Sequence, residues 1–213
     1  MGRGEFNEAA GHGPAALGLS VHTGWAHAVA VAVHNDTPSV VYKERMALWE
    51  PSQRGAAHFY HRAAQLPLAA VGPALAEDEL ESRRVTAQSL QHVTGELGRL
   101  GYRLVAARVV DRPRRPLPPL EKVLTSHPLL HAAEGALFRD IVLSEAAKVI
   151  ADATEIDAAV LLEGVARAAA LSPTVVAERL ARAGKIAGSP WSREHQQCAL
   201  AAWFALAAHD GQS

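Results

Sequence analysis

Between residues 126 and 140 the chain reads SHPLLHAAEGALFRD, setting two histidines, a glutamate, an arginine and an aspartate in apolar text. On a helix, His127, His131, Glu134, Phe138 and Ile141 fall at i, i+4, i+7, i+11 and i+14, which is one face. Imidazoles one turn apart can converge on a single ion, so His127, His131 and Glu134 are candidate ligands for zinc or another borderline divalent metal. The order differs from the zinc-protease helix, because Glu134 follows the second histidine instead of the first. The same face runs on into Phe138 and Ile141, which belong in a core. The alternative is therefore a buried helix whose histidines bond to neighbours and whose Glu134 pairs with Arg139 or with the RPRR segment at 112–115. In either case a buried His131–Glu134 pair needs partners, and burial shifts pKa values.

Two further stretches carry chemistry. In SVHTGW, Ser20 can hydrogen-bond a phosphate and His22 can act as general acid or base near neutral pH; the alternative is a polar tight turn with Trp25 packed beneath it. In RVVDRPRRP, Asp111 is an acid at a strand end, and Arg108, Arg112, Arg114 and Arg115 offer guanidinium forks suited to phosphate. A solvated loop pairing with acids elsewhere is the competing reading there. HFYHR (His58, Phe59, Tyr60, His61) can line a pocket, although one helix spreads these residues over several faces. In WSREHQQC, Ser192 caps a helix and Glu194 favours its first turn. Cys198 lies in apolar helix text and reads as packing. Phosphate-loop, dinucleotide and nucleophile-elbow patterns are absent.

The chain has 213 residues, 49% of them hydrophobic, enough for one domain with a real core. Lys+Arg at 21 against Asp+Glu at 22 gives a net charge of -1, which excludes coating of nucleic acid or anionic membrane by bulk charge. The single cysteine excludes an intrachain disulfide and a cysteine-rich zinc site and fits a reducing cytoplasm. With no apolar run of membrane-spanning length, no membrane segment is expected. The Gly-rich polar start, residues 1–14, reads as a disordered or appended leader, with a single domain over 15–213.

The elements that must position these residues follow from periodicity. AALGLSVHTGWAHAVAVAV predicts a hairpin, strands near 15–21 and 27–34 around a five-residue HTGWA link. HNDTP turns the chain into a third strand, SVVYKERMALW. A short helix is expected before Pro67 and a long one within 73–101. Pro73 sits in the first turn of that long helix, and its apolar face is drawn from Leu80, Val85, Leu90, Val93, Leu97 and Leu100. YRLVAARVV predicts a strand, 128–149 a helix led by Ser126 or His127, and KVIADATEI a short fifth strand. Helices are expected over 157–170, 173–186 and 192–209.

Three strands, a helix, a strand, a helix and a last strand form the order of a meander followed by crossovers. The hairpin text GLSVHTGWAHAVAV resembles the ribonuclease H-like superfamily, in particular its Holliday-junction resolvase branch. There a G-I-D-like strand end runs into a glycine turn, and a T-G-W/Y-A/G element opens the second strand. EHQQCALAAWFALA is similar to that branch's closing D-x-x-D-A-L-A-x-A helix. The resemblance implies an α/β fold with a mixed sheet, a three-stranded antiparallel meander plus crossover strands, flanked by helices. It also implies acids that hold divalent metal ions for phosphodiester attack. This chain departs from the pattern: Ser20 stands at the first-strand acid, His195 and Cys198 at the two acids of the last helix, and Asp111 remains as a strand-end acid.

Combined, these readings predict a divergent member binding or processing a nucleic-acid or phosphate-bearing ligand. Ser20, His22, Asp111, His131 and Glu134 would form one cleft, with Arg112, Arg114, Arg115 and Arg139 as ligand-binding residues. If the protein is an enzyme it is a metal-dependent hydrolase or nuclease. His22 or His131 would then transfer the proton, and Asp111, His127, His131 and Glu134 would hold a divalent cation. The competing class is a non-enzymatic interaction or assembly module, with the C-terminal helices and their Trp191 and Trp203 binding a partner or a second copy.

Overall fold

The computed structural model describes residues 13–50, 55–112 and 116–210. Alternating apolar residues fold into β1 (Gly13–His22), β2 (Trp25–His34) and β3 (Thr37–Ala47), an antiparallel meander. Beyond the helix pair α1 (Phe59–Ala63) and α2 (Leu68–Arg99), β4 (Tyr102–Asp111) returns parallel to β1. Two further helices, α3 (Leu120–Leu124) and α4 (His127–Val149), lead to β5 (Asp152–Asp157), parallel to β4. The strand order is β3-β2-β1-β4-β5. After a single 3-10 turn come α5 (Leu161–Ala168), α6 (Pro173–Ala187) and α7 (Arg193–Asp210). This is the mixed α/β layout that the resemblance implies, and β5 is present.

Side chains alternate across the sheet, and each face has its own core. Leu17, Leu19, Ala28 and Val109 meet α2 and α4 through Leu90, Leu97, Phe138 and Val142. Ala16, Val29, Val31 and Ala106 face the opposite layer, where α5, α6 and α7 contribute Val165, Leu180 and Trp203. The link between β1 and β2 is two residues, Thr23 and Gly24, with Gly24 at φ +81°. The predicted five-residue link is too long because His22 and Trp25 pair across the strands, their rings stacked at 4.1 Å and 5°. Such a pair holds a hairpin end closed. Between β2 and β3, Asn35 and Asp36 both take positive φ, the conformation a two-residue type I′ turn demands.

Other expectations move. Gly13 and Pro14, assigned to the leader, belong to β1; residues 1–12 lie outside the described residues. Helix α2 starts at Leu68, so Pro73 lies inside it and not in its first turn. The carbonyl that Pro73 leaves without a helical donor belongs to Ala69, which is exposed to solvent. Val85, Leu90, Val93 and Leu97 are buried, but Leu80 is 71% exposed, because the inward stripe passes through Asp78 and Ser82. Ser126 is the N-cap residue of α4 but makes no side-chain cap bond, whereas Ser172 caps α6. Trp203 is core, as α7 is covered by the sheet on one side and by α5 on the other. No single helix among the described residues is long and apolar enough to cross a membrane.

Candidate functional site

At the C-terminal end of β1, α7 lies against the sheet without an intervening side chain. A Cβ at Gly18 would stand 1.9 Å from the carbonyl oxygen of Cys198, so only glycine permits this approach. The hairpin register pairs Ser20 with His27 and His22 with Trp25. All four residues therefore share the sheet face that α7 covers. From the first turn of α7, Glu194 places Oε1 2.9 Å from His22 Nε2 and Oε2 3.3 Å from His27 Nε2. The His195 ring sits 4.2 Å from that of His27, and its Nδ1 lies 2.7 Å from Ser192 Oγ. Arg45 covers the Trp25 ring at 4.0 Å.

The electrostatics of this group follow from its burial. Desolvation lowers the pKa of His27; Glu194 acts against that, and the neighbouring His22 and Arg45 add to it. Burial likewise lowers the pKa of His195, reinforced by His27 and Lys43. The Cys198 thiol is fully buried and its pKa is pushed far up, so it packs as a small apolar group and is no nucleophile. Of the positions matching the resolvase acids, Ser20 is half-buried, His195 is buried and Cys198 is core. The nearby carboxylate is Glu194, one residue earlier than the pattern places it.

A second group forms where α1 crosses the start of α4. Phe59 anchors α1 in the core between Trp49 (4.6 Å) and Phe138 (5.0 Å), and Arg62 ties it to Asp78 of α2 at 2.5 Å. This holds His58 and His61 over α4. Glu134 has no exposed surface; its Oε1 accepts from His61 Nδ1 at 2.8 Å and from the His61 amide at 3.3 Å. Its Oε2 lies 3.3 Å from His58 Nδ1 and 3.9 Å from His131 Nδ1. His127 and His131 are exposed, with ring centroids 4.5 Å apart and 5.2 and 4.5 Å from His61. One nitrogen from each of His61, His127 and His131 lies within 4.8 Å of the other two.

The five expected cleft residues are thus distributed over three places. Ser20 and His22 face α7, and His131 and Glu134 face α1 together with His127. Asp111 stands apart from both. Val110 is the register partner of Ser20, so the next residue projects to the opposite face of the sheet. There Asp111 Oδ2 pairs with Arg139 Nε of α4 at 2.8 Å. That contact corrects two expectations: Arg139 is engaged with Asp111 instead of Glu134, and Asp111 joins neither histidine group. Arg108 is held in the sheet by Asp152 at 2.6 and 2.9 Å. Arg112 is exposed, whereas Arg114 and Arg115 lie outside the described residues.

Sequence reasoning gave His27 and Glu194 no role at a site, and gave His58 and His61 only that of lining a pocket. A two-residue turn at Thr23–Gly24 is enough to pair Ser20 with His27. The other three reach their partners across long sequence separations, for which local spacing carries no signal.

No family model matches the sequence, and no curated protein matches it. Among solved structures, RuvC of Thermus thermophilus in complex with a Holliday junction substrate is similar, with a TM-score of 0.54 at 11% identity over 93% of this chain and 96% of that chain. A second Thermus thermophilus RuvC structure gives 0.53 at 11% identity with the same coverage. The chain has a divergent ribonuclease H-like fold, carried over almost its whole length.

Proposed function

We propose that this chain is a divergent ribonuclease H-like protein that binds nucleic acid through its phosphates, at the sheet end formed by β1, β2 and α7. The observation that supports this reading is the grip of His22 and His27 on the Glu194 carboxylate, at 2.9 and 3.3 Å. Two imidazole rings that bracket one anionic group can meet a phosphodiester oxygen pair in the same way. Glu194 is 39% exposed and can swing outward when a phosphate takes its place. Ser20, the register partner of His27, adds a hydroxyl on the same face. Where the resolvase pattern has acids, which would repel a phosphate unless metal ions intervened, Ser20 and His195 supply a hydroxyl and an imidazole.

Hydrolysis by the two-metal route is not part of the reading. That route needs hard oxygen ligands on both ions, and Ser20, His195 and Cys198 leave Glu194 as the carboxylate of this group. With a net charge of -1, binding comes from the local site and not from bulk charge.

Fluorescence anisotropy with a four-way junction, a duplex and a single strand tests this across about 50–200 mM salt. The expected result is binding that falls with salt and weakens about tenfold in His22→Ala/His27→Ala, the scale of one lost charge-assisted hydrogen bond. Equal affinity in the variant would overturn the assignment of the site. If none of the three nucleic acids binds, the reading gives way to an interaction module. A groove of about 600 Å³ between α5, α6 and the start of α7, lined by Leu162, Leu180, Trp191 and Leu200, favours that second reading.

A further inference from the structure

The histidines gathered by α1 and α4 lie away from that sheet end, and their geometry stands independently of the nucleic-acid reading. We propose that His61, His127 and His131 form a site for one first-row transition-metal dication, zinc foremost, and that Glu134 fixes His61 in the tautomer that binds it.

The tautomer follows from burial. Glu134 is fully buried and accepts from both Nδ1 and the backbone amide of His61. A carboxylate bonded at Nδ1 keeps the proton there, which leaves the lone pair of the neutral ring on Nε2. That Nε2 is buried and has no hydrogen-bond partner. A buried imidazole nitrogen without a partner is costly, and a metal ion satisfies it. The arrangement is carboxylate–histidine–metal, in which the carboxylate orients the ring and raises its basicity.

The other two ligands come from a rigid element. His127 and His131 are one turn apart on α4, so their separation is set by the helix. One ring nitrogen from each already lies within 4.8 Å of a ring nitrogen of His61. Tetrahedral zinc, with bonds of about 2.0–2.1 Å, needs its ligands about 3.4 Å apart. His127 and His131 are exposed, so their rings can rotate to shorten that separation. A second grouping, His58, His61 and Glu134, suits tetrahedral zinc less well. His61 Nδ1 and Glu134 Oε1 are 2.8 Å apart, a hydrogen-bond distance shorter than the separation of about 3.4 Å between tetrahedral ligands.

Charge and chemistry agree with this assignment. Glu134 is held by imidazoles and an amide, and a dication on three neutral rings supplies the positive charge that a buried carboxylate requires. Imidazole donors select zinc, cobalt, nickel or copper over magnesium and calcium, which take oxygen ligands. The exposure of His127 and His131 leaves the fourth position open to water. Glu134 therefore acts from behind His61, a different role from the direct ligation its spacing suggests, and Asp111 has no part.

The test is titration of the metal-stripped full chain with Co²⁺, followed by its visible d–d absorption, with displacement by Zn²⁺ and metal content by mass spectrometry. The expected result is one ion per chain with a tetrahedral cobalt spectrum. His127→Ala and His131→Ala, both at exposed positions that leave the metal-free melting temperature unchanged, should each weaken binding at least about tenfold. Glu134→Gln should weaken it about 10–100-fold in protein shown to be folded by its metal-free melting transition. His22→Ala/His27→Ala should bind metal as the parent chain does. Absence of a cobalt spectrum would overturn the proposal, as would metal retained in both α4 variants or lost in the β1–β2 variant. None of these outcomes bears on nucleic-acid binding, so the two readings fail separately.

Discussion

Substituting Gly18 by alanine tests the packing that brings Glu194 to its histidines. The new Cβ would lie 1.9 Å from the Cys198 carbonyl oxygen, 2.5 Å from its carbon and 2.8 Å from its Cα. Ordinary contact starts near 3.4 Å, so α7 would have to retreat by more than an ångström. It has little room: Phe204 on its far side stands where a Cβ at Gly164 of α5 would meet it at 3.2 Å. Overpacking costs about 1–3 kcal/mol, and here backbone meets backbone, so neither side can rotate away and the cost should reach about 3 kcal/mol. For a domain of this size that corresponds to a fall of about 6–12 °C in melting temperature. Urea unfolding should show a lower midpoint at unchanged slope. A retreating α7 would also withdraw Glu194 from His22 and His27 and alter nucleic-acid affinity. Gly72→Ala is the control, since nothing lies within 4 Å of its new Cβ; within a helix it should stabilise by about 0.5–1 kcal/mol. A Gly18→Ala protein within about 0.5 kcal/mol of the parent, with unaltered nucleic-acid binding, would refute the reasoning.

Two more outcomes follow from the same geometry. His27 and His195 titrate below their ordinary value of about 6.5, chiefly because burial disfavours the charged ring. The unfolded chain therefore takes up their protons at higher pH than the folded one. Their contribution to stability is intact above about pH 6.5, declines as pH falls toward their folded pKa values, and levels off below them. Melting temperatures between about pH 7 and pH 5 should show this decline, and it should be smaller in His27→Asn/His195→Asn; an equal decline in that variant would contradict the assignment. Asp111→Asn breaks a half-buried pair with Arg139 and should cost about 1 kcal/mol in urea unfolding while leaving cobalt stoichiometry at one per chain. Loss of the metal in this variant would return Asp111 to the ligand set.

Much of the fold was legible because it is written in local patterns. Alternation gave the meander, helical periodicity gave α4, α6 and α7 nearly to their ends, and two short motifs led to the ribonuclease H-like layout. The errors came where tertiary contacts override local signals. His22 and Trp25 look like turn residues but are a stacked cross-strand pair. Pro73 looks like a helix start, yet its missing donor is harmless beside solvent-exposed Ala69. Leu80 looks like core, yet the inward stripe of α2 carries Asp78, which binds Arg62, and Ser82, which bonds to the Leu48 carbonyl at 2.8 Å.

The candidate site was harder to read, and the reason is strand parity. Ser20, His22 and Asp111 all lie near the C-terminal ends of neighbouring strands, which makes them look like one cleft. Register alone decides which face each side chain takes. With Ser20 opposite Val110, Asp111 must point toward α4, and a shift by one residue would have joined it to His22 and His27 instead. The histidines of α4 were visible from spacing, but the residue that gives them a purpose is His61, 66 positions before His127. It is brought there by Phe59 packing between Trp49 and Phe138. A spacing rule on one helix can nominate two ligands. The third, and the role of Glu134 behind it, exist only once the core has folded.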